Sequence, residues 1–329
     1  MTARQLNILL SVAVLAAILA ACMLGSTPME FSRVAAALMG QSSPGDVTVV
    51  WHIRLPRALA AFVVGVALGA SGAALQGLLR NPLAEPGVLG VTATSSLFAT
   101  FALYYGLTAA SPFLLPVFAI IGALAATALL AAASLRIESV VTLILLGVGL
   151  SSFSAAAMSL LLNLAPNPFT LSDMINWLLG SVANRSFEDL TMTAPFIAAG
   201  LAILFTHSRG LSALTLGEEA ASGIGLNLRR QRIAVVLGAG LATGGSVALA
   251  GAIGFVGIIA PHIVRPIVRH DPAQSLLPSA LLAGVILVLA DVGVRILPTV
   301  SELKLGVVAA LIGAPAFVWI AMRQRATHD

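Results

Sequence analysis

Long apolar runs separated by short polar or Pro/Gly-rich breaks dominate the chain. They cover residues 6–25, 58–79, 88–107, 112–135 and 139–164, and then, after a polar loop and a short segment from Asp173 to Val182, residues 190–206, 233–251, 254–268, 275–297 and 305–322. Most approach the roughly 20 apolar residues that a helix needs to cross a bilayer. The pattern predicts an all-α polytopic membrane protein of about ten transmembrane helices. A transmembrane barrel requires apolar and polar residues to alternate within segments of about ten residues, and a run such as Leu143–Leu162 does not alternate.

The longest polar interruption is Leu214–Arg232, LTLGEEAASGIGLNLRRQR. It is long enough for two short helices broken at Gly223 and Gly225. Ala220, Ala221 and Ile224 would form a small apolar surface beside Glu218 and Glu219. It reads equally as an ordinary solvated loop or as a handle for a partner outside the membrane.

Composition strengthens the membrane reading: 59% of residues are hydrophobic and 9% charged, against about 25% charged in soluble domains. The net charge of +4 is too small, and its arginines too close to apolar runs, to indicate nucleic acid. The basic residues instead set topology. With the N-terminus inside, the inner loops hold Arg4, Arg80, Arg136, Arg209, Arg229, Arg230, Arg232, Arg265, Arg269, Arg323 and Arg325, eleven of the seventeen basic residues. The positive-inside rule then puts both termini in the cytoplasm. The outer loops hold Arg33, Arg54, Arg57, Arg185, Arg295 and Lys304; these fit either arginines snorkelling at helix ends or a basic surface that steers an acidic partner. Arg4 and the sequence LAAC ending at Cys22 imitate a lipoprotein signal, but the apolar run continues to Leu24, and an uncleaved first span is expected. Cys22 is the only cysteine, which excludes an intrachain disulfide and a Cys-based metal cluster.

Little in the chain points to catalysis. Asp291 is nearly the only carboxylate within a span and lies four residues before Arg295, where a helix puts both on one face. Its position about six residues, roughly 9 Å, from the outer end of the helix argues against proton coupling at mid-membrane. His262 follows Pro261 and reads as a structural hydrogen-bonding group, and no histidine pair has metal-ligand spacing. The pairs Gly65/Gly69 and Gly240/Gly244 have the spacing that lets membrane helices approach closely. Lys304 is the only lysine, so the chain has no GxxxxGK[ST] nucleotide loop. Transport powered by ATP would need a separate ATPase, and that partner would need a cytoplasmic handle.

Five stretches together carry a resemblance: RLPR at Arg54–Arg57, NPLAEPGVLGV at Asn81–Val91, GEEAASGIGL at Gly217–Leu226, VALAGAIGFVGIIAPH at Val247–His262 and GVVAALIGAPAFVW at Gly306–Trp319. Over nearly its whole length the chain resembles the FecCD-type permease subunits of ABC importers for iron-siderophores, haem and vitamin B12. The resemblance implies a type II importer permease in the bacterial inner membrane, one transmembrane domain spanning 1–329. It would pair with a second copy of itself, two ATPase subunits below and a periplasmic binding protein above. The chain itself would bind no cofactor; ATP and magnesium would sit on the ATPase partner.

Residues 214–228 would be the coupling helices, with Gly217, Glu218, Glu219, Ala220, Ala221, Gly223, Ile224, Gly225 and Leu226 in the ATPase cleft. Arg54, Arg57 and Arg295 would dock the binding protein. Asn81 and Leu83, together with Ser139 and Thr142 at the start of the fifth span, would form the cytoplasmic gate. Arg185, beside Asn184, is either a loop arginine or a group that attracts haem propionates at the outer mouth, and the cargo expected is haem, or else another iron chelate or cobalamin. A secondary transporter that works without an ATPase is the competing expectation.

Overall fold

The computed structural model describes residues 2–25, 27–136, 139–297 and 302–325. Among these, every regular element is a helix. They run α1 (Ala3–Met23), α2 (Phe31–Leu38), α3 (Pro44–Thr48), α4 (Leu55–Leu79), α5 (Val91–Tyr104), α6 (Leu114–Ser134), α7 (Val140–Asn163), α8 (Pro168–Leu178), α9 (Phe187–Thr206), α10 (Ser208–Ala213), α11 (Glu218–Gly223), α12 (Leu228–Ala250), α13 (Val256–Val264), α14 (Pro272–Ile296) and α15 (Leu305–Arg325). A π-helical turn, Val49–Arg54, joins α3 to α4, and a 3-10 turn, Pro86–Leu89, precedes α5.

The expected spans correspond to α1, α4, α5, α6, α7, α9, α12, α13, α14 and α15. Among the described residues, seven helical stretches are long and apolar enough to cross a membrane, and α5 and α15 are shorter apolar helices. The eighth expected span, 254–268, contains a helix of only nine residues, α13. Phe255, just before it, has φ 66, a left-handed conformation that ends the preceding non-helical strand of chain and starts the helix abruptly. The third expected span begins late for a related reason. Pro82 and Pro86 keep the chain from continuing α4, and Arg80 terminates that helix in the left-handed region. The short segment expected at Asp173–Val182 is α8, which begins earlier because Asn167 caps it and Pro168 occupies its first turn.

Helices α4 and α12 form the centre: almost every side chain of α12 from Ala234 to Ala250 is buried. Alanine and glycine make this density accessible. In lipid, apolar side chains gain nothing by leaving their neighbours for another helix, so close backbone approach and dispersion contacts hold a bundle together. The two predicted GxxxG pairs are both interfaces. Gly65 and Gly69 lie against Ala283 and Ser279 of α14, and Gly240 and Gly244 lie against Thr127 and Ala123 of α6. The closest approach is between Gly72 of α4 and Gly257 of α13, where a Cβ on Gly72 would lie 1.9 Å from the Gly257 carbonyl oxygen.

The two ends of the bundle differ in chemistry. Leu6 and Leu10 of α1 pack beside Val264 and Val268, and Ser212 bonds to Asp271, which brings the expected inner loops to one end. At the other end Trp51 lies beside Phe187 with the rings tilted at 43° and 6.2 Å between centroids, next to the expected outer loops.

Candidate functional site

At the outer-loop end two helices, α4 and α14, converge on one carboxylate. Asp291 of α14 is 1% exposed. Arg57 of α4 donates to it from Nε at 3.0 Å and from Nη2 at 2.7 Å, and Arg295 approaches from one turn further along α14 at 3.2 Å. The pair predicted within α14 is therefore present, but as part of a triad that includes a residue 234 positions earlier. Arg57 also donates to Glu302, whose side chain is 40% exposed. Arg54 turns towards the end of α1 and donates to the carbonyls of Cys22 at 2.8 Å, Met23 at 3.0 Å and Thr27 at 2.5 Å. Arg295 adds a bond to Ala21 at 3.1 Å. The Ala21, Cys22 and Met23 carbonyls lie in the last turn of α1, where the helix dipole favours positive charge. The arginines expected to face a binding protein are thus turned inward. Arg54 and Arg57 are buried, and all three join α1, α4 and α14.

The polar stretch at the opposite end folds around two glycines in left-handed backbone, Gly217 at φ 99 and Gly225 at φ 93. The first break falls at Gly217 rather than Gly223, which lies within α11. Between the glycines, α11 makes a turn and a half. Ala221 points inward and is fully buried, so the small apolar surface expected from Ala220, Ala221 and Ile224 consists instead of Ala220, Ile224 and Leu216. Ile224 and Leu216 are 68% and 67% exposed. Glu219 is exposed beside them, whereas Glu218 faces Arg232 of α12 across 3.7 Å. Leu226 packs on the core. The stretch is therefore a short helix flanked by two glycines and tied to the N-terminal end of a central one.

The four expected gate residues fall on two segments. Asn81 accepts a hydrogen bond from the Leu83 backbone at 2.9 Å, closing an Asx turn after α4. Ser139 caps α7 by accepting from the Thr142 backbone at 3.3 Å, and both residues are exposed. The segments pack through glycine: a Cβ on Gly147 of α7 would lie 2.4 Å from the Val88 carbonyl. Sequence reasoning missed a further link here. Glu85 accepts a hydrogen bond from the Phe255 backbone N–H at 3.2 Å, joining the Pro-rich turn after α4 to the turn before α13. Both line a largely apolar cavity of about 500 Å³ with Leu68, Ile253, Val307 and Leu311. A carboxylate inside NPLAEPG, among few acids in the chain, was the available signal.

Arg185 lies at the outer-loop end in a second cavity of about 320 Å³. Its guanidinium sits 5.4 Å above the Trp177 ring. The cavity also holds Asn176, Ser181, Lys304 and Asp173. Arg185 Nε and Trp177 Nε1 are buried with no hydrogen-bond partner. Burial pulls the Arg185 pKa below its ordinary value, with Asp189 pulling the other way; an arginine remains charged nonetheless. Arg185 and Lys304 against the one carboxylate of Asp173 leave this lining net positive, which favours an anion or an acceptor-rich group.

The whole chain has relatives in this arrangement. It is 38% identical over 291 residues to the uncharacterized ABC transporter permease protein YvrB of Bacillus subtilis, covering 87% of this chain and 82% of that protein. It is 36% identical to the probable siderophore transport system permease protein YfiZ of the same organism, covering 94% and 93%. It is 39% identical to the vitamin B12 import system permease protein BtuC of Citrobacter koseri, covering 84% and 83%. A solved ABC transporter assigned to the metal-chelate type, in an inward-facing conformation, superposes with a TM-score of 0.84 at 29% identity, covering 98% of this chain and 99% of that one. Residues 12–323 match the description of the FecCD transport family, and the chain is a member of that family.

Proposed function

We propose that the chain is the membrane-spanning subunit of an ATP-driven importer, paired with a second copy, that carries a carboxylate-bearing iron chelate such as haem to the cytoplasm. The observation that carries the ATP-driven part is the short helix α11. Its exposed Glu219 and Ala220, with Leu216 and Ile224 on either side of it, form a compact amphipathic contact, and its fastening to α12 by Glu218 and Arg232 would pass any displacement into the centre of the bundle. In the absence of a nucleotide loop, that contact would receive an ATPase subunit. ATP binding would draw the two copies of α11 together and switch the bundle between outward-open and inward-open states, with Asn81, Leu83, Ser139 and Thr142 at the cytoplasmic gate. This orientation has both termini in the cytoplasm.

The cargo reading rests on the outer cavity. A volume of about 320 Å³ suits one polar arm of a chelate rather than a whole macrocycle, and Arg185 and Lys304 would receive a carboxylate. Weak, multi-point attraction fits a path that must also release its cargo. The test is uptake by the reconstituted permease–ATPase complex, with its binding protein, of haem, a ferric siderophore and cobalamin. Haem uptake should depend on ATP and fall at least tenfold in Arg185→Ala and to background in Glu218→Lys/Glu219→Lys. Uptake by the permease alone down an ion gradient would establish the secondary-transporter reading, and preference for cobalamin, unaffected by Arg185→Ala, would remove the carboxylate reading.

Docking of the binding protein at the arginine end takes a specific form in this proposal. An acidic side chain would take Arg57 from Glu302, the most exposed member of the network. Glu302→Gln should therefore tighten association at low salt, with the gain fading as salt screens it; unchanged affinity at both salt concentrations would remove Arg57 from the docking surface.

A further inference from the structure

A cavity of about 340 Å³ opens at the inner-loop end between the last turn of α6, the start of α11 and the first turn of α12. Its walls include Ser134, Arg136, Glu218, Arg229 and Arg232. Among the described residues, three guanidinium groups thus face one carboxylate. Arg232 is buried and engaged with Glu218, while Arg136 and Arg229 are exposed. The first turn of α12 also directs the positive end of its helix dipole towards this region. The net character of the walls is that of a site for a singly or doubly charged anion, and guanidinium groups match phosphate geometry best.

The surface leading to the cavity identifies the source of that phosphate. Leu135 lines the cavity and is itself 50% exposed. Along α6 it continues a stripe of exposed Ala132, Leu129, Ala128, Leu124 and Ile121. These positions recur at three- and four-residue spacing, so they share one face of the helix. A basic cavity at the end of an apolar stripe about 20 Å long has the two-part chemistry of a phospholipid: the headgroup in the cavity, the acyl chains on the stripe. An ATPase surface would complement the charge but not the stripe. We infer that this cavity binds the phosphate headgroup of an anionic phospholipid of the cytoplasmic leaflet. The inference rests on the orientation proposed above. Because Glu218 is both a wall of the cavity and the tie between α11 and α12, the bound headgroup competes with it for Arg232, and the lipid sets how firmly the coupling helix is held.

The experiment is native mass spectrometry of the permease–ATPase complex after detergent exchange and re-addition of phosphatidylglycerol or phosphatidylcholine. Wild type should retain phosphatidylglycerol in preference to phosphatidylcholine, and 10 mM inorganic phosphate should not displace it. Arg136→Gln/Arg229→Gln should weaken that retention about 30-fold, as the loss of two basic residues beside an anionic lipid predicts, while Arg136→Lys/Arg229→Lys should keep most of it. Equal retention by the Gln variant, or displacement by inorganic phosphate, would overturn the lipid site. So would loss of the ATPase subunits from the Gln variant with lipid retention unchanged, which would assign the arginines to a protein contact. A complex that retains the lipid but fails to import any cargo would separate failure of the proposed function from failure of this site.

Discussion

An Asp291→Ala permease is expected to lose about 3–5 kcal/mol of stability, the usual cost of removing one partner from a buried ion pair. The size follows from what remains. Arg57 would keep only Glu302, while Arg295 would keep only its bond to Ala21. Two guanidinium groups would then stand near each other in a poorly solvated space without the carboxylate that separates them. The effect should appear as a large drop in the thermal midpoint in detergent and in the yield of monodisperse protein. Replacing the triad together, Asp291→Leu with Arg57→Met and Arg295→Met, should recover most of the loss, because well-packed apolar residues can substitute for a buried ion cluster. A single Asp291→Ala variant as stable as wild type would show that water reaches the triad and that it contributes little.

Gly72→Ala should be nearly as damaging, through shape instead of charge. The added methyl would meet the carbonyl oxygen of Gly257 at 1.9 Å and its Cα at 2.8 Å. Both are backbone atoms, so no side chain can rotate away, and α4 and α13 would have to separate. Overpacking a tight core costs about 1–3 kcal/mol and sometimes more, and the upper end applies here. Gly254→Ala is the matched comparison: nothing lies within 4 Å of its Cβ position, so its effect should stay within about 0.5 kcal/mol. Thermal midpoints of the two variants against wild type decide the point. If both shift equally, the α4–α13 contact is looser than its geometry indicates.

Both effects mark where sequence reasoning reached and where it stopped. Apolar run length located the spans, and GxxxG spacing identified Gly65, Gly69, Gly240 and Gly244 as interface positions because those signals are local. The i,i+4 relation between Asp291 and Arg295 is local too. Arg57 joins them from another helix, and nothing in its neighbourhood specifies that partner. Gly72 and Gly257 lie far apart in the chain and belong to no shared motif, yet they make the tightest of the glycine contacts. The docking expectation for Arg54, Arg57 and Arg295 came from the family resemblance; which way a guanidinium turns depends on carbonyls and carboxylates supplied by α1 and α14. The coupling stretch was legible as a whole, but the inward turn of Ala221 was not, because a helix of six residues shows too little periodicity to distinguish its faces. Helices α2 and α3 escaped notice because they lie in the polar break between the first two apolar runs.

The bond between Glu85 and the Phe255 backbone ties two broken stretches of chain together. If the turn at Asn81–Gly90 swings during transport, the turn at Gly251–Phe255 must travel with it, or a carboxylate and an N–H are left without each other in a largely apolar cavity. That separation costs about 1–3 kcal/mol for each stranded group. The bond therefore resists independent displacement of either turn: moving one without the other breaks it.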